Sequence, residues 1–95
     1  MYKDLDPLLH SQLRLAIISM LLNSEKVEFM HIKEETKAAA GNISIQIKKL
    51  HEAGYIKVEK SFINNYPKTM LSITDRGVKA FESYVNDLKK YISPK

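Results

Sequence analysis

GNISIQIKKLHEAGYIKVEKSFINNYPKTMLSIT, residues 41–74, is the stretch whose reading decides the fold of this chain. Ile43, Ile47 and Leu50 recur at i, i+4 and i+7, the spacing of one buried helix face, and predict a helix over Asn42–Ala53. Gly54 follows, a residue free to take the left-handed conformation that ends helices. From Tyr55 to Ile63 the pattern changes to alternation, with Ile56 and Val58 against Lys57 and Glu59, which is the period of a strand. Asn64 to Lys68 reads as a polar turn. Thr69–Ile73 alternates again, so that Leu71 and Ile73 can join Ile56 and Val58 on one apolar face.

Outward from this unit the helical pattern returns on both sides. Thr74 and Asp75 open a last helix that runs to about Ile92. Val78, Phe81, Val85, Leu88 and Ile92 are spaced 3, 4, 3, 4 along it, a heptad-like seam. On the N-terminal side, Asp6-Pro7 predicts a helix start, with Ser11 as a second start, and the helix runs to about Asn23. One stripe of this helix holds Leu9, Leu13, Ala16, Ile17, Met20 and Leu21, and another holds Leu15, Ile18 and Leu22. Two apolar sides need two covers. In so short a chain the second cover is expected to be another subunit. A short strand at Val27–Phe29, a short helix at Met30–Thr36 and a small-residue link at Lys37–Gly41 complete the order.

The expected class is therefore α+β, mostly α: a winged helix-turn-helix with a C-terminal dimerisation helix, forming a single domain over residues 1–95. The chain carries a net charge of +4. Residues 1–54 hold seven basic and seven acidic side chains, whereas residues 55–95 hold eight and four. The excess positive charge falls on the half with the hairpin and the last helix, and a polyanion is the simplest partner for it. There is no cysteine, hence no disulfide or thiolate metal site. No apolar run approaches the roughly 18 residues of a membrane span, and the N-terminus lacks a basic-then-apolar leader, so a cytoplasmic location fits.

Catalysis finds no support. His10, His31 and His51 are too scattered for a metal site within one chain. His10 and Ser11 are adjacent and do not face each other on a helix, and Glu34 and Glu35 read as solvated helix charge. The three glycines, Gly41, Gly54 and Gly77, stand at element boundaries rather than in a phosphate loop. No cofactor or metal is expected.

With these residues in place, the chain resembles winged-helix transcriptional regulators of the MarR/ArsR-like group, in particular the short single-domain type of archaea and bacteria. The resemblance rests on Leu5-Asp6-Pro7, on His10-Ser11 with Arg14-Leu15-Ala16-Ile17, and on Gly41-Asn42-Ile43-Ser44 with Lys49-Leu50. It continues through Glu52-Ala53-Gly54-Tyr55-Ile56, Pro67-Lys68-Thr69 and Ile73-Thr74 with Gly77. Such a resemblance implies sequence-specific binding of double-stranded DNA by a homodimer. Two departures stand out: Ile45 where a basic residue is common in the recognition helix, and an asparagine tip in a wing that is often arginine-rich.

The candidate DNA-binding residues on the helix are Asn42, Ser44, Ile45, Gln46, Lys48 and Lys49. A 12-residue helix spans roughly 18 Å and suits a major groove. Gln46 is a candidate to pair with adenine, and Ile45 to touch a thymine methyl. On the wing, spanning 60–69, the candidates are Lys60, Asn64, Asn65 and Lys68, directed at backbone or minor groove. The candidate dimer interface comprises Leu15, Ile18, Leu22, Phe81, Val85, Leu88 and Ile92. Tyr84 and Tyr91 flank that seam and could line a pocket for a small effector, which nothing else in the sequence calls for. Arg76, in the first turn of the last helix, faces the unfavourable end of the helix dipole, which hints at an anionic neighbour. The competing reading is a winged helix that binds other proteins in a transcription or chromatin assembly, without reading DNA sequence.

Overall fold

A computed structural model describes residues 2–92. The elements follow in the order α1 (Gln12–Leu22), β1 (Val27–Glu28), α2 (Phe29–Thr36), α3 (Ala40–Glu52), β2 (Ile56–Ile63), β3 (Tyr66–Ile73) and α4 (Asp75–Ile92). The sheet is antiparallel with strand order β1-β3-β2. This is the four-helix, small-sheet arrangement of a winged helix-turn-helix, as the hydrophobic periods predict. Ile17, Ile18 and Leu21 of α1, Ile32 of α2, Ile43, Ile47 and Leu50 of α3, and Ile56 and Leu71 of the sheet meet in one core.

The turn between α2 and α3 is tight for a definable reason. Lys37 takes the left-handed conformation (φ 57°) and its N–H donates to the Lys33 carbonyl at 2.9 Å. That closes α2 and lets Ala39, in extended conformation, open α3. The helix starts at Ala40, two residues before the expected Asn42, so Gly41 lies inside its first turn.

Gly54 (φ 80°) ends the turn after α3 and sends the chain into β2. Thr74 then locks the base of the hairpin. Its N–H donates to the Tyr55 carbonyl at 3.0 Å, and its hydroxyl donates to the Gly54 carbonyl at 2.6 Å. The same hydroxyl accepts the Gly77 N–H at 3.0 Å, which caps α4. At Gly77 the close approach leaves no room for a side chain: a Cβ would stand 2.2 Å from the Tyr55 carbonyl oxygen.

Three expectations need correction. The segment after Asp6-Pro7 is a turn, and the helix begins only at Gln12. Asp6 accepts the Leu8 N–H on one carboxylate oxygen and the Tyr55 hydroxyl on the other, at 2.9 and 2.7 Å. Ser11 (φ −152°) is extended, which breaks the helix there and makes Ser11 the cap. Second, the wing turn is not Asn64–Lys68 but the two residues Asn64 and Asn65, both at positive φ (52° and 68°). That is the signature of a type I′ hairpin turn, whose twist matches the flanking strands. Pro67 lies within β3 opposite Phe62, one pair beyond the closing pair Ile63 and Tyr66. An antiparallel ladder makes no cross-strand bond at that pair, so the missing N–H is tolerated. Third, Ile18, assigned to a subunit interface, is 0% exposed within its own chain. It has no surface to offer a partner, because the core wraps around both Ile17 and Ile18.

Candidate nucleic-acid interface

With Ile43, Ile47 and Leu50 buried, the outer arc of α3 carries Asn42, Ser44, Ile45, Lys48, Lys49 and His51 at the surface. Ile45 is 55% exposed, an apolar side chain of this size left standing in solvent. Gln46 is different: it is half-buried and bonded at both ends of its amide. Arg14 on α1 donates to Gln46 Oε1, and Gln46 Nε2 donates to Asn42 Oδ1 at 2.8 Å.

Between α3 and the hairpin lies an open groove of about 710 Å³. Phe29, Ile47 and Val58 are its apolar lining, with Ser44, Lys48, His51, Lys60 and Thr69 around them. The register explains why Lys60 joins this groove. Ile56, Val58, Lys60 and Phe62 share one face of β2, and that face runs from the core out along the wing. Lys68, opposite Ser61, lies on the other face, where its Nζ is 3.8 Å from Glu28. Lys26 and Glu59 pair on that face as well, at 3.2 Å. The structure therefore brings Ser44, Lys48 and Lys60 together and turns Lys68 away from them.

His51 and Thr69 belong to the groove but were not among the sequence candidates. A signal for His51 exists: it stands at i+3 from Lys48 and i+7 from Ser44, on the same helical strip. Thr69 becomes visible only once the hairpin register pairs it with Lys60.

The wing continues about five residues beyond the core pair Val58–Leu71, roughly 17 Å. Its tip is polar only at Asn64 and Asn65. Phe62 and Tyr66 are 76% and 75% exposed, with Ile63 and Pro67 beside them, so both faces of the tip are apolar.

At the other side of the chain the N-terminal segment lies against α4. The Tyr84 hydroxyl and His10 Nδ1 are hydrogen-bonded at 3.0 Å, and the Tyr91 hydroxyl donates to the Lys3 carbonyl at 2.7 Å. The Tyr2 and Tyr91 rings sit 4.9 Å apart. Both tyrosines expected to line an effector pocket are thus engaged by the chain's own N-terminal segment. Arg76 lies over Gly54, and its charge favours the ionised form of the nearby Tyr55 phenol. Burial outweighs that influence. Together with the bond to Asp6 and its negative charge, burial pushes the Tyr55 pKa up to about 12.

The family model described as a winged helix DNA-binding domain matches residues 13–92. The chain belongs to this winged helix family. The uncharacterized protein MJ0432 of Methanocaldococcus jannaschii is 34% identical over 79 residues, which cover 83% of this chain and 86% of that protein. Among solved structures, the transcriptional regulator homologue from Pyrococcus horikoshii OT3 superposes with a TM-score of 0.83 at 30% identity. The match covers 92% of this chain and 86% of that one. MarR matches with a TM-score of 0.76 at 17% identity, over 88% of this chain and 61% of its own, and shares the fold. The chain thus carries a winged helix DNA-binding domain, and its fold is the one seen in the transcriptional regulator homologue and in MarR. No helix among the described residues is long and apolar enough to cross a membrane.

Proposed function

We propose that this winged helix protein is a homodimeric, sequence-specific DNA-binding regulator of transcription. Helix α3 enters the major groove, with Asn42, Ser44, Ile45, Lys48 and Lys49 on the surface that meets DNA. The observation that carries this reading is the shared side of α3 and the wing: Ser44, Lys48, His51 and Lys60 surround one continuous groove. A phosphate strand beside an inserted helix would run along such a cationic strip. The asparagine tip, with Phe62 and Tyr66 behind it, lies on backbone or in the minor groove, amides toward base edges and rings on deoxyribose.

For the dimer, Leu15, Leu22, Phe81, Val85 and Leu88 remain only half-buried by their own chain, and Ile92 is 75% exposed. These residues supply an apolar surface for a second copy. Two-fold symmetry would set the recognition helices about 34 Å apart and favour a near-palindromic site. Sedimentation analysis across concentration tests this, and a monomer at every concentration overturns it.

Fluorescence anisotropy on genomic duplexes, repeated from low to physiological salt, tests the DNA reading. Affinity should fall steeply with salt as counterions are released. Replacing Lys48 and Lys49 by alanine should weaken binding and flatten the log–log salt slope by about two. An unchanged slope would remove α3 from the interface. A second reading, a protein-binding module, is favoured by the exposed Ile45 and the apolar wing tip. Absence of duplex binding even at low salt would favour it over the first.

A further inference from the structure

Two side-chain amides and one guanidinium define the hydrogen-bonding sense of α3. Arg14, half-buried on α1, donates through Nε to the Leu8 carbonyl and through Nη1 to Gln46 Oε1. One helical turn away from Gln46, Asn42 Oδ1 accepts from Gln46 Nε2 at 2.8 Å. A guanidinium has donors only. It therefore tolerates one orientation of the Gln46 amide, oxygen toward α1, since the reverse would set N–H against N–H. With its oxygen held, Gln46 turns its NH2 toward Asn42. Asn42 must then present its own oxygen to Gln46. Asn42, at the exposed start of α3, keeps its NH2 group uncommitted, while one of the two lone pairs of its oxygen is taken.

We propose that Arg14 is a positioning residue for base recognition: through Gln46 it makes Asn42 face DNA as a hydrogen-bond donor. This rests on the DNA-binding reading above. Arg14 is anchored twice, and its bond to Leu8 keeps the guanidinium from swinging out to solvent. The sequence points to Gln46 as the adenine reader, but Gln46 is the relay and Asn42 the reader. A donor suits an edge with adjacent acceptors. Guanine offers O6 and N7 in the major groove, whereas adenine pairs N7 with a competing N6 donor. The Asn42 oxygen that would answer adenine N6 already accepts from Gln46, which leaves it one lone pair and turns the NH2 rather than the oxygen outward. Fixing both amides before binding also removes ordering cost at the moment of contact.

The test combines selection from a random duplex pool with side-chain amide NMR of the free protein. Arg14→Met keeps the apolar stem and deletes the donors, while Arg14→Lys keeps a donor-only group. Wild type should prefer guanine over adenine about tenfold at one position per half-site, the effect of one directional base contact worth about 1.4 kcal/mol. Arg14→Met should bring that ratio to about one and leave other positions unchanged. Asn42→Ala should erase preference at the same position. In the free protein the Gln46 and Asn42 side-chain amide resonances should move together in Arg14→Met and far less in Arg14→Lys. If the two amides stay in place in Arg14→Met, the relay is wrong whatever the DNA result. An unchanged guanine preference in Arg14→Met also overturns the proposal. Amides that move as expected while wild type enriches no sequence would fail the DNA-binding reading instead, and the specificity role with it. If Arg14→Met does not fold, Gln46→Leu cuts the same relay between Arg14 and Asn42 and should bring the ratio at that base position to about one, and an unchanged ratio there overturns the proposal.

Discussion

The base and the tip of the hairpin belong to the same two strands but have opposite surroundings. At the base, Gly54, Tyr55, Thr74 and Gly77 are tied by three hydrogen bonds around Thr74 and by a backbone approach that excludes any side chain. At the tip, Phe62, Ile63 and Tyr66 stand in solvent and are held by the strand ladder alone. The base fixes the angle at which the wing leaves the core. The tip contributes little to the fold and is left free to meet a partner. A substitution at the base should therefore act on stability, and one at the tip on binding.

The largest expected effect is at Gly77. A Cβ there would meet the Tyr55 carbonyl oxygen at 2.2 Å and Ile73 Cγ1 at 2.8 Å. Backbone cannot yield as a side-chain end does, so Gly77→Ala should cost about 3 kcal/mol, at the upper end of overpacking. Chemical denaturation measures it, and a loss below about 1 kcal/mol would show the base to be looser than its geometry implies.

A smaller effect at the base is read through pH. The Tyr55 phenol is pushed up to about 12 by burial, by its bond to Asp6 and by the Asp6 charge, against an ordinary 10.0. A raised folded value means that the stabilisation is complete below pH 10 and is lost as pH rises from there through about 12. The melting-temperature advantage of wild type over Tyr55→Phe should thus hold to pH 10 and shrink above it. Comparing the two proteins cancels the lysines that titrate in the same range. A constant difference across pH 9 to 12 would detach Tyr55 from Asp6.

The smallest stability effects belong to the tip. Replacing Phe62 and Tyr66 by serine should change stability by only about 0.5 kcal/mol, as exposed positions do, while weakening DNA binding measurably by anisotropy. Asn65→Gly, in a turn that favours glycine at positive φ, should stabilise by only a few tenths of a kcal/mol, because the entropy that glycine adds to the unfolded chain offsets part of the gain. Strong destabilisation by the serine pair would erase the contrast between base and tip.

Much of the architecture was legible because its signals are local. The 3.6-residue period at Ile43, Ile47 and Leu50, the alternation at Ile56 and Val58, and the glycine stop at Gly54 each involve neighbours in sequence. The place of the turn was legible, since Asn-Asn suits positive φ, but its length was not: read from the sequence it extends through Tyr66, Pro67 and Lys68, which lie in β3. The site was less legible. Lys48 and Lys60 converge on one groove while Lys68 does not, and this follows from a register that a wrong turn length shifts.

The sequence by itself determined the order of elements, the buried face of α3 and the chemistry available on its open face. Only the tertiary structure decided that Asp6 opens a turn instead of a helix, that Ile18 lies wholly inside the core, and that Arg14 reaches Gln46 and His10 reaches Tyr84. The physical reason is range. Helix and strand periods are set by backbone geometry over a few residues. The partner of a side chain is set by which distant elements the core brings together, and here those partners lie 32 and 74 residues apart.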